Sequence, residues 1–140
     1  MGKKMIEKLR LTTRFVDDQD EALRFYTEKL GLVKKADEPF GPDNRWVTVA
    51  PEQDETVEIV LELPDWSEDE EEVDRRAAMV GEQPALAFTV DDCHTTYETL
   101  RERGVEFTTE PQEQPYGIEA VARDLYGNGV VLVERSPEAA

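Results

Sequence analysis

A short acidic motif occurs twice in the chain, and this repeat limits the possible folds more than any other feature. Val16-Asp17-Asp18 returns as Val90-Asp91-Asp92, 74 residues later. Each triplet ends an apolar run and opens a helical pattern, where an Asp side chain can accept hydrogen bonds from the first free backbone N–H groups. Gly31 and Gly104 follow the two patterns, and glycine can take the left-handed conformation that ends a helix. We therefore predict a duplicated unit of strand, helix and strands.

Apolar alternation and turn residues predict the same order of elements in both halves. In module one, about residues 8–63, we expect a helix over 19–30 and strands over 8–16, 33–36, 45–50 and 56–63. In module two, about residues 84–135, we expect a helix from residue 92 and strands over 84–90, 105–108, 118–123 and 130–134. Ser67-Glu68-Asp69-Glu70 has the form of a capping box, which predicts an acidic helix within the connector, residues 64–83. The favoured interpretation of this connector is a solvated link, and the alternative is a lid over a pocket.

Length and charge predict one acidic globular domain. The 140 residues are enough for one core shared by two modules. Thirty-three acidic against sixteen basic residues give a formal charge of −17, which disfavours nucleic acid and anionic membranes as partners. Hydrophobic residues make up 39% and fall in ordered runs, unlike those of a disordered acidic chain. The acidity is a solubilising surface or an adaptation to a high-salt cytoplasm, and we favour the halophilic interpretation.

Cysteine usage and the absence of long apolar runs predict a cytoplasmic location. Cys93 is the only cysteine, so no internal disulfide can form, which fits a reducing compartment. The chain has no apolar run of about 18 residues and no apolar signal core near Met1. His94 is the only histidine, and it lies in the first turn of the second predicted helix. Neither side chain has neighbours at the spacing of a zinc site or of a catalytic pair.

Two longer motifs accompany the repeated triplets. Residues 23–32 have the pattern Leu-x-Phe-Tyr-x-x-x-Leu-Gly-Leu, and residues 123–134 are Arg-Asp-Leu-Tyr-Gly-Asn-Gly-Val-Val-Leu-Val-Glu. Together these motifs resemble the glyoxalase, bleomycin-resistance and extradiol-dioxygenase superfamily, also called vicinal oxygen chelate. Glu-Gln-Pro-Tyr-Gly at residues 113–117 is similar to a segment of small bacterial and archaeal glyoxalase-like members.

The resemblance implies an α+β fold. Two βαβββ modules would curl into one mixed sheet that forms a cup, commonly in a homodimer. Metal-using members place four ligands, drawn from His, Glu and Gln, on the first and last strands of each module. A divalent ion held there chelates substrate oxygens and acts as a Lewis acid.

The four positions that match those ligands carry apolar residues in this chain. They are Leu11, Val60, Ala85 and Val131. Leu, Val and Ala side chains have no lone pairs to offer a cation, so we predict no metal and no other cofactor. A shift of one residue would offer no better ligands and would turn each side chain to the opposite face. The alternative is a relocated carboxylate site formed from Glu58, Glu62, Glu119 or Glu134.

A cup without metal remains a concave, mostly apolar space suited to a small molecule. The register of the predicted strands places several residues in its lining. The candidate ligand-binding residues are Leu11, Thr13, Phe15, Trp46, Thr48, Ala87, Thr89, Tyr116 and Arg123. Arg14 interrupts an apolar strand end, and we expect it to pair with Glu58, with Glu119 or with an anionic ligand.

The favoured hypothesis is a metal-independent, homodimeric protein of this superfamily that binds a small, partly aromatic molecule in its cup. One alternative is a metal-dependent lyase, isomerase or dioxygenase with relocated carboxylate ligands. A second alternative is a dimeric interaction module whose cup is filled by its own side chains. The sequence leaves open whether any reaction is catalysed, and whether one chain or two form the cup.

Overall fold

The computed structural model describes residues 5–137, and these form two βαβββ units in an α+β fold. The first unit consists of β1 (Leu11–Phe15), α1 (Gln19–Arg24), β2 (Val33–Phe40), β3 (Asn44–Ala50) and β4 (Glu58–Glu62). Helix α2 (Glu70–Ala77) follows. The second unit consists of β5 (Leu86–Thr89), α3 (Cys93–Glu102), β6 (Glu106–Gln114), β7 (Gly117–Arg123) and β8 (Gly129–Arg135). No helix in the described residues is long and apolar enough to span a membrane.

The strands form two four-stranded mixed sheets with the same topology. Their orders are β1-β4-β3-β2 and β5-β8-β7-β6. The first and last strand of each unit pair in parallel, and the other neighbours are antiparallel. The duplication predicted from the two Val-Asp-Asp triplets is therefore confirmed at the level of sheet topology.

The repeated triplets cap the helices as predicted. Asp18 accepts a hydrogen bond from the Glu21 backbone N–H at 2.9 Å, and Asp92 accepts one from Thr95 at 3.0 Å. Gly31 and Gly104 have φ of 82° and 91°, the left-handed conformation that ends a helix. Helix α1 continues as a π-helical turn over Phe25–Lys29, so the helical region matches the predicted one apart from this wider turn.

Several predicted element ends are wrong. Strands β2 and β6 continue through Pro39 and Pro111, well beyond the predicted ends at residues 36 and 108. Proline lacks the N–H that a central strand donates, but both strands lie at sheet edges, where that donor is not needed. The N-cap of α2 is Asp69, which accepts from Glu71, and not Ser67 as the capping box predicted.

The core lies between the sheets and the helices α1 and α3. One cluster of buried side chains belongs to each module. Phe25, Leu30 and Phe88 pack against both clusters. The modules therefore share one continuous apolar core.

A buried polar junction also joins the modules. The Tyr26 hydroxyl donates to Asp124 Oδ2 at 2.6 Å, and Asn128 Nδ2 donates to the same oxygen at 3.0 Å. Asp124 Oδ1 accepts from the backbone N–H groups of Tyr126 and Asn128, both at 2.9 Å. Burial, followed by the neighbouring Asp124 carboxylate, raises the pKa of Tyr26 far above its ordinary value. Asp124 thus supports the turn before Asn128, as predicted, and also links that turn to module one.

A bidentate ion pair on the β2–β3 hairpin predicts a loss of stability in acid. Arg45 contacts Asp37 through Nε at 2.6 Å and NH2 at 2.9 Å. Hydrogen bonding to Arg45 lowers the pKa of Asp37 to about 2. Asp37 therefore stabilises the fold above the unfolded-state pKa of about 3.9, and this contribution disappears as the pH falls towards 2. Urea denaturation measures the free energy of unfolding at pH 6 and at pH 2.5. This free energy should fall less between the two pH values in Asp37→Asn than in the wild type. An equal fall in both proteins would contradict the role given to Asp37.

Candidate functional site

Each sheet has one face turned away from α1 and α3, and we call these two surfaces the cup faces. Side chains alternate along a strand, and residues paired across strands share a face. In sheet one, Ile59 and Val49 pack in the helix core, whereas the alternating partners Thr13, Thr48 and Val60 lie on the other face. The cup face of sheet one comprises Leu11, Thr13, Phe15, Trp46, Thr48, Glu58, Val60 and Glu62. The cup face of sheet two comprises Ala87, Thr89, Glu119, Val121, Val131 and Val133.

Seven of the nine predicted binding residues lie on these cup faces. Sheet one brings together Leu11, Thr13, Phe15, Trp46 and Thr48, and sheet two carries Ala87 and Thr89, both of them exposed. Tyr116 lies in the β6–β7 turn with 42% of its surface exposed. A hydrogen bond to the Glu119 carboxylate raises the pKa of Tyr116.

Each of the two arginines donates a hydrogen bond to a backbone carbonyl oxygen, and ligand binding by Arg123 stays a prediction. Arg123 NH1 donates to the Gly127 carbonyl oxygen at 2.9 Å, so this side chain braces the β7–β8 turn. Arg14 is 2% exposed and donates from NH1 to the Pro84 carbonyl oxygen at 2.9 Å. It alternates with Thr13 and Phe15, which places it on the helix side of sheet one. The expected pairing of Arg14 with Glu58 is therefore wrong, because Glu58 lies on the opposite face.

The register places the four positions matching the superfamily's metal ligands equivalently in the two modules. Val60 pairs with Thr13, and Val131 pairs with Ala87. Thr13 lies two places after Leu11, the first-strand position of module one, and Ala87 lies two places after Ala85, the first-strand position of module two. The last-strand position therefore has the same relation to the first-strand position in both modules. All four side chains are apolar and present no donor atom to a cation, so these residues do not fit a metal.

The four carboxylates that could replace those ligands do not converge. Glu58 accepts a hydrogen bond from Thr48 Oγ1 at 2.6 Å, and Glu62 pairs with Arg76 at 3.2 Å. Glu119 lies on the other sheet. Glu134 alternates onto the helix side, where it accepts from the Cys93 backbone N–H at 2.9 Å. Within residues 5–137, no group of three or more His, Cys, Asp or Glu residues is arranged to hold a metal ion.

Three aromatic rings cluster over the cup face of sheet one. The rings of Trp46 and Trp66 stack with centroids 6.3 Å apart and planes inclined by 23°. Phe40 packs edge-on against both, with centroids 4.8 Å from Trp66 and 6.2 Å from Trp46. We call Phe40, Trp46 and Trp66 the aromatic cluster. Only Trp46 was expected at the site, since Trp66 belongs to the connector and Phe40 to a strand predicted to end before it.

Arg76 ties the connector to the same face. Its guanidinium contacts Glu62 on β4 at 3.2 Å and Glu72 on α2 at 2.8 Å, and it lies 5.6 Å from the centre of the Phe15 ring. Burial raises the pKa of Glu62, and the Arg76 charge opposes part of this effect. Trp66 and Arg76 both lie against cup-face residues, so the connector packs on sheet one and is not solvated on all sides.

Cys93 and His94 lie outside both cup faces. The Cys93 side chain is fully buried in the core of module two, and burial raises the pKa of its thiol. A thiol of this kind is a poor nucleophile. His94 is exposed at the start of α3.

Comparison with known proteins agrees with the two-module fold. The family model described as "Glyoxalase/Bleomycin resistance protein/Dioxygenase superfamily" matches residues 8–132. The chain belongs to this superfamily. The crystal structure of UcmS2 is 39% identical, with a TM-score of 0.82 over 93% of this chain and 99% of that one. TnmS3, described as an antibiotic binding protein from Streptomyces sp. CB03234, is 30% identical, with a TM-score of 0.77 over 96% of this chain and 100% of that one.

A relative from another organism matches at similar identity. YurT of Bacillus subtilis (strain 168), which is uncharacterized, is 41% identical over 129 residues, or 91% of this chain and 99% of the relative. The chain therefore matches these relatives over nearly its whole length.

Proposed function

We propose that this glyoxalase-superfamily protein binds a small planar aromatic molecule in its cup and needs no metal to do so. The observation that carries the proposal is the chemistry of the four ligand positions. Leu11, Val60, Ala85 and Val131 replace the oxygen and nitrogen donors of metal-using members with an apolar surface. An apolar surface with a few polar groups suits retention of a small molecule.

The aromatic cluster supports a planar ligand. Trp46 presents a large ring on the cup face, and Trp66 supplies a second ring nearly parallel to it. Aromatic rings prefer offset stacking or edge-on contacts, which the side chains of this cluster already make with one another. The description of TnmS3 as an antibiotic binding protein supports a binding function for this chain as well.

The proposal includes a homodimer in a salt-rich cytoplasm. The cup face of sheet two carries Val121, Val131 and Val133 with part of their surface exposed, beside the exposed Ala87 and Thr89. A partner subunit would shield these apolar side chains from water. The formal charge of −17 supports a salt-rich environment, where cations screen repulsion between the subunits.

A second candidate is an interaction module with a filled cup. It is favoured by one observation, that Phe40 and Trp66 already cover part of the cup face of sheet one. This candidate predicts that no small molecule enters, whereas the proposed function requires the cluster to open for a ligand.

Tryptophan fluorescence titration tests the proposed function. Phenanthrene, acridine and flavone are added to the protein in high-salt buffer, with and without EDTA, and light scattering on the same sample gives the oligomeric state. At least one compound should bind saturably, with an affinity that EDTA changes by less than about twofold. Trp46→Ala should weaken that binding by about tenfold, since a stacking contact contributes about 1 kcal/mol and buried ring area adds to it.

Tyr97→Ala is the matched control, because Tyr97 packs edge-on against Phe107 outside the aromatic cluster, with ring centroids 4.7 Å apart. The Tyr97→Ala variant should bind the same compound with the affinity of the wild type. Binding that EDTA abolishes and a divalent ion restores would favour a metal-dependent enzyme. Failure of all three compounds to bind would favour the filled cup.

A further inference from the structure

One edge of β1 is free of any partner strand in the described residues. β1 forms ladder hydrogen bonds only with β4. The Arg10 carbonyl oxygen and the Val16 N–H bond to β4 at the two ends of the strand, at 3.0 and 2.9 Å. Alternate residues of a strand direct their backbone groups to the same side, so Leu11 and Thr13 direct theirs away from β4. Unpaired edges of this kind are templates for an added strand.

A side-chain amide already occupies one position along this edge. Gln83 Oε1 accepts from the Phe15 backbone N–H at 2.8 Å, and Gln83 Nε2 donates to the Phe15 carbonyl oxygen at 3.1 Å. These are the two hydrogen bonds that a neighbouring strand would make with Phe15. The edge therefore accepts a peptide-like partner, and Leu11 and Thr13 offer the next two positions.

The edge of β5 is arranged in the same way. The Val90 N–H donates to a carbonyl oxygen of β8 at 2.9 Å, so Ala87 and Thr89 direct their backbone groups away from β8. The start of β5 lies near the end of β1, because the Pro84 carbonyl oxygen accepts from Arg14 at 2.9 Å. Two free edges thus lie on either side of the junction between the modules.

A groove of about 850 Å³ is lined by both strands. β1 contributes Thr12, and β5 contributes residues 86–89. Half-buried apolar side chains, among them Leu30 and Leu32, line its inner part. Exposed carboxylates line its rim, and they belong to Glu52, Asp54 and Asp91. The groove therefore suits an extended segment with apolar side chains and positive charge.

The segment that precedes β1 has these properties. We call residues 5–10 the arm, and they lie outside any helix or strand. Met5, Ile6 and Leu9 are 98, 89 and 68% exposed, and they make up three of the five large exposed hydrophobic side chains in the described chain. Residues 1–10 include four basic residues and one acidic residue, a formal charge of +3, so the other 130 residues carry −20. The arm thus matches the groove in polarity and in charge.

The arm of the same chain is poorly placed to fill the groove. It would have to fold back along β1 through a tight turn close to residue 9. Residues 8–10 are Lys-Leu-Arg, and none of them favours the positive φ of a two-residue hairpin turn. The Arg10 carbonyl oxygen is already bonded to β4, so the chain enters β1 in extended form. The arm of a second copy meets neither constraint.

We infer that two copies of this chain exchange their arms. The arm of each copy enters the groove of its partner as an added strand and bonds to the free edges of β1 and β5. The two four-stranded sheets are thereby joined, and the apolar side chains of the arm leave water. The inference extends the homodimer of the proposed function and does not depend on ligand binding in the cup.

Site-specific cross-linking tests the exchange. Cys93, the only cysteine, is replaced by alanine, and Ile6→Cys and Thr89→Cys are prepared as separate variants. They are unfolded, mixed and refolded together in high-salt buffer, and a short bismaleimide is added. Mass spectrometry should find a covalent dimer with one chain of each variant. Ile6→Cys mixed with Asp43→Cys is the control and should not give a mixed dimer, because Asp43 lies outside the groove in the β2–β3 turn.

Hydrogen exchange of the wild type provides a readout that needs no engineered cysteine. The amide protons of Ala87 and Thr89 should exchange slowly, because the arm of the partner pairs with them. Phe88 is the internal reference, since its amide faces β8 and is protected with or without the arm. In the Ile6→Asp/Leu9→Asp variant, Ala87 and Thr89 should lose their protection while Phe88 keeps it.

The dimer affinity of the same variant gives a third readout. Ile6→Asp/Leu9→Asp should raise the dimer dissociation constant at least about tenfold, because two apolar side chains no longer leave water on association. Both side chains are exposed within one chain, so their replacement should leave the fold intact. Sedimentation equilibrium measures the constant for the variant and for the wild type.

Four results would overturn the inference. They are absence of the mixed covalent dimer, a link within one chain when both cysteines are placed together, rapid exchange at Ala87 and Thr89 in the wild type, and an unchanged dissociation constant in Ile6→Asp/Leu9→Asp. Any of these together with saturable ligand binding would leave binding in the cup standing. An arm-exchanged dimer that binds none of phenanthrene, acridine and flavone would support the inference and overturn binding in the cup alone.

Discussion

Replacing Asp124 with alanine is expected to lower the free energy of unfolding by about 3–5 kcal/mol, the range for breaking a buried charged network. The carboxylate is 6% exposed and accepts four hydrogen bonds, from Tyr26, Tyr126 and twice from Asn128. Its removal would leave those donors unsatisfied at the junction of the two modules.

Urea denaturation followed by circular dichroism measures this effect. Asp124→Asn keeps the side-chain shape but points an N–H₂ group at neighbouring donors. It should therefore lower the free energy of unfolding by less than Asp124→Ala does, but by a clearly measurable amount. Asp43→Ala is the control, because Asp43 is exposed in the β2–β3 turn and its replacement should change stability by less than about 0.5 kcal/mol. A loss below about 1 kcal/mol in Asp124→Ala would show that the junction contributes little.

The fold was predictable because its determinants are local and occur twice. Asp18 and Asp92 cap their helices through hydrogen bonds three residues along the chain, a relation that sequence spacing reveals directly. Strand alternation likewise predicted that Thr13 and Ala87 lie at equivalent positions in the cup lining of their modules. The ends of β2 and β6 were missed because a proline is compatible with a strand only at a sheet edge, and edge position depends on the complete sheet order.

The site was predictable only where it lies on the sheets. Leu11, Thr13 and Phe15 followed from strand alternation, and the same rule assigns Arg14 to the opposite face, which is why its expected partner Glu58 is out of reach. Trp66 and Arg76 were missed because their contacts with the cup face depend on how the connector folds back. No local sequence pattern predicts such a contact, and the acidic composition of the connector predicts that it is exposed to solvent.

The connector combines exposed acidic residues with side chains that contact the sheet. Glu68, Asp69 and Glu70 are exposed and keep the outer surface of this segment in water. Trp66 and Arg76, by contrast, lie against the sheet. A segment that was only a solvated link would have no need of a tryptophan stacked on a strand residue. The connector therefore has one side in water and one side packed on the cup face of sheet one.

Gly117→Ala is expected to lower the free energy of unfolding by more than about 3 kcal/mol, because an added methyl group has no room beside β8. Gly117 has φ of 141°, a conformation that residues with a side chain rarely adopt. Its Cβ would overlap the Glu134 carbonyl oxygen and lie 2.8 Å from the Ser136 backbone nitrogen. The β7–β8 pairing, which begins at Gly117 and Arg135, would have to separate at this end.

Gly41→Ala separates backbone strain from this steric effect. Gly41 also has a positive φ, 67°, but among the described residues, apart from Gly41 itself and its two chain neighbours, no atom lies within 4 Å of the position that its Cβ would take. Gly41→Ala should therefore lower the free energy of unfolding by about 1 kcal/mol, which is the strain of holding an alanine in the left-handed conformation. Chemical denaturation of the two variants measures the difference, and equal losses would mean that β8 moves aside without cost. The larger loss at Gly117 would instead show that the β7–β8 end, which positions the Tyr116 turn beside Glu119, is held rigidly.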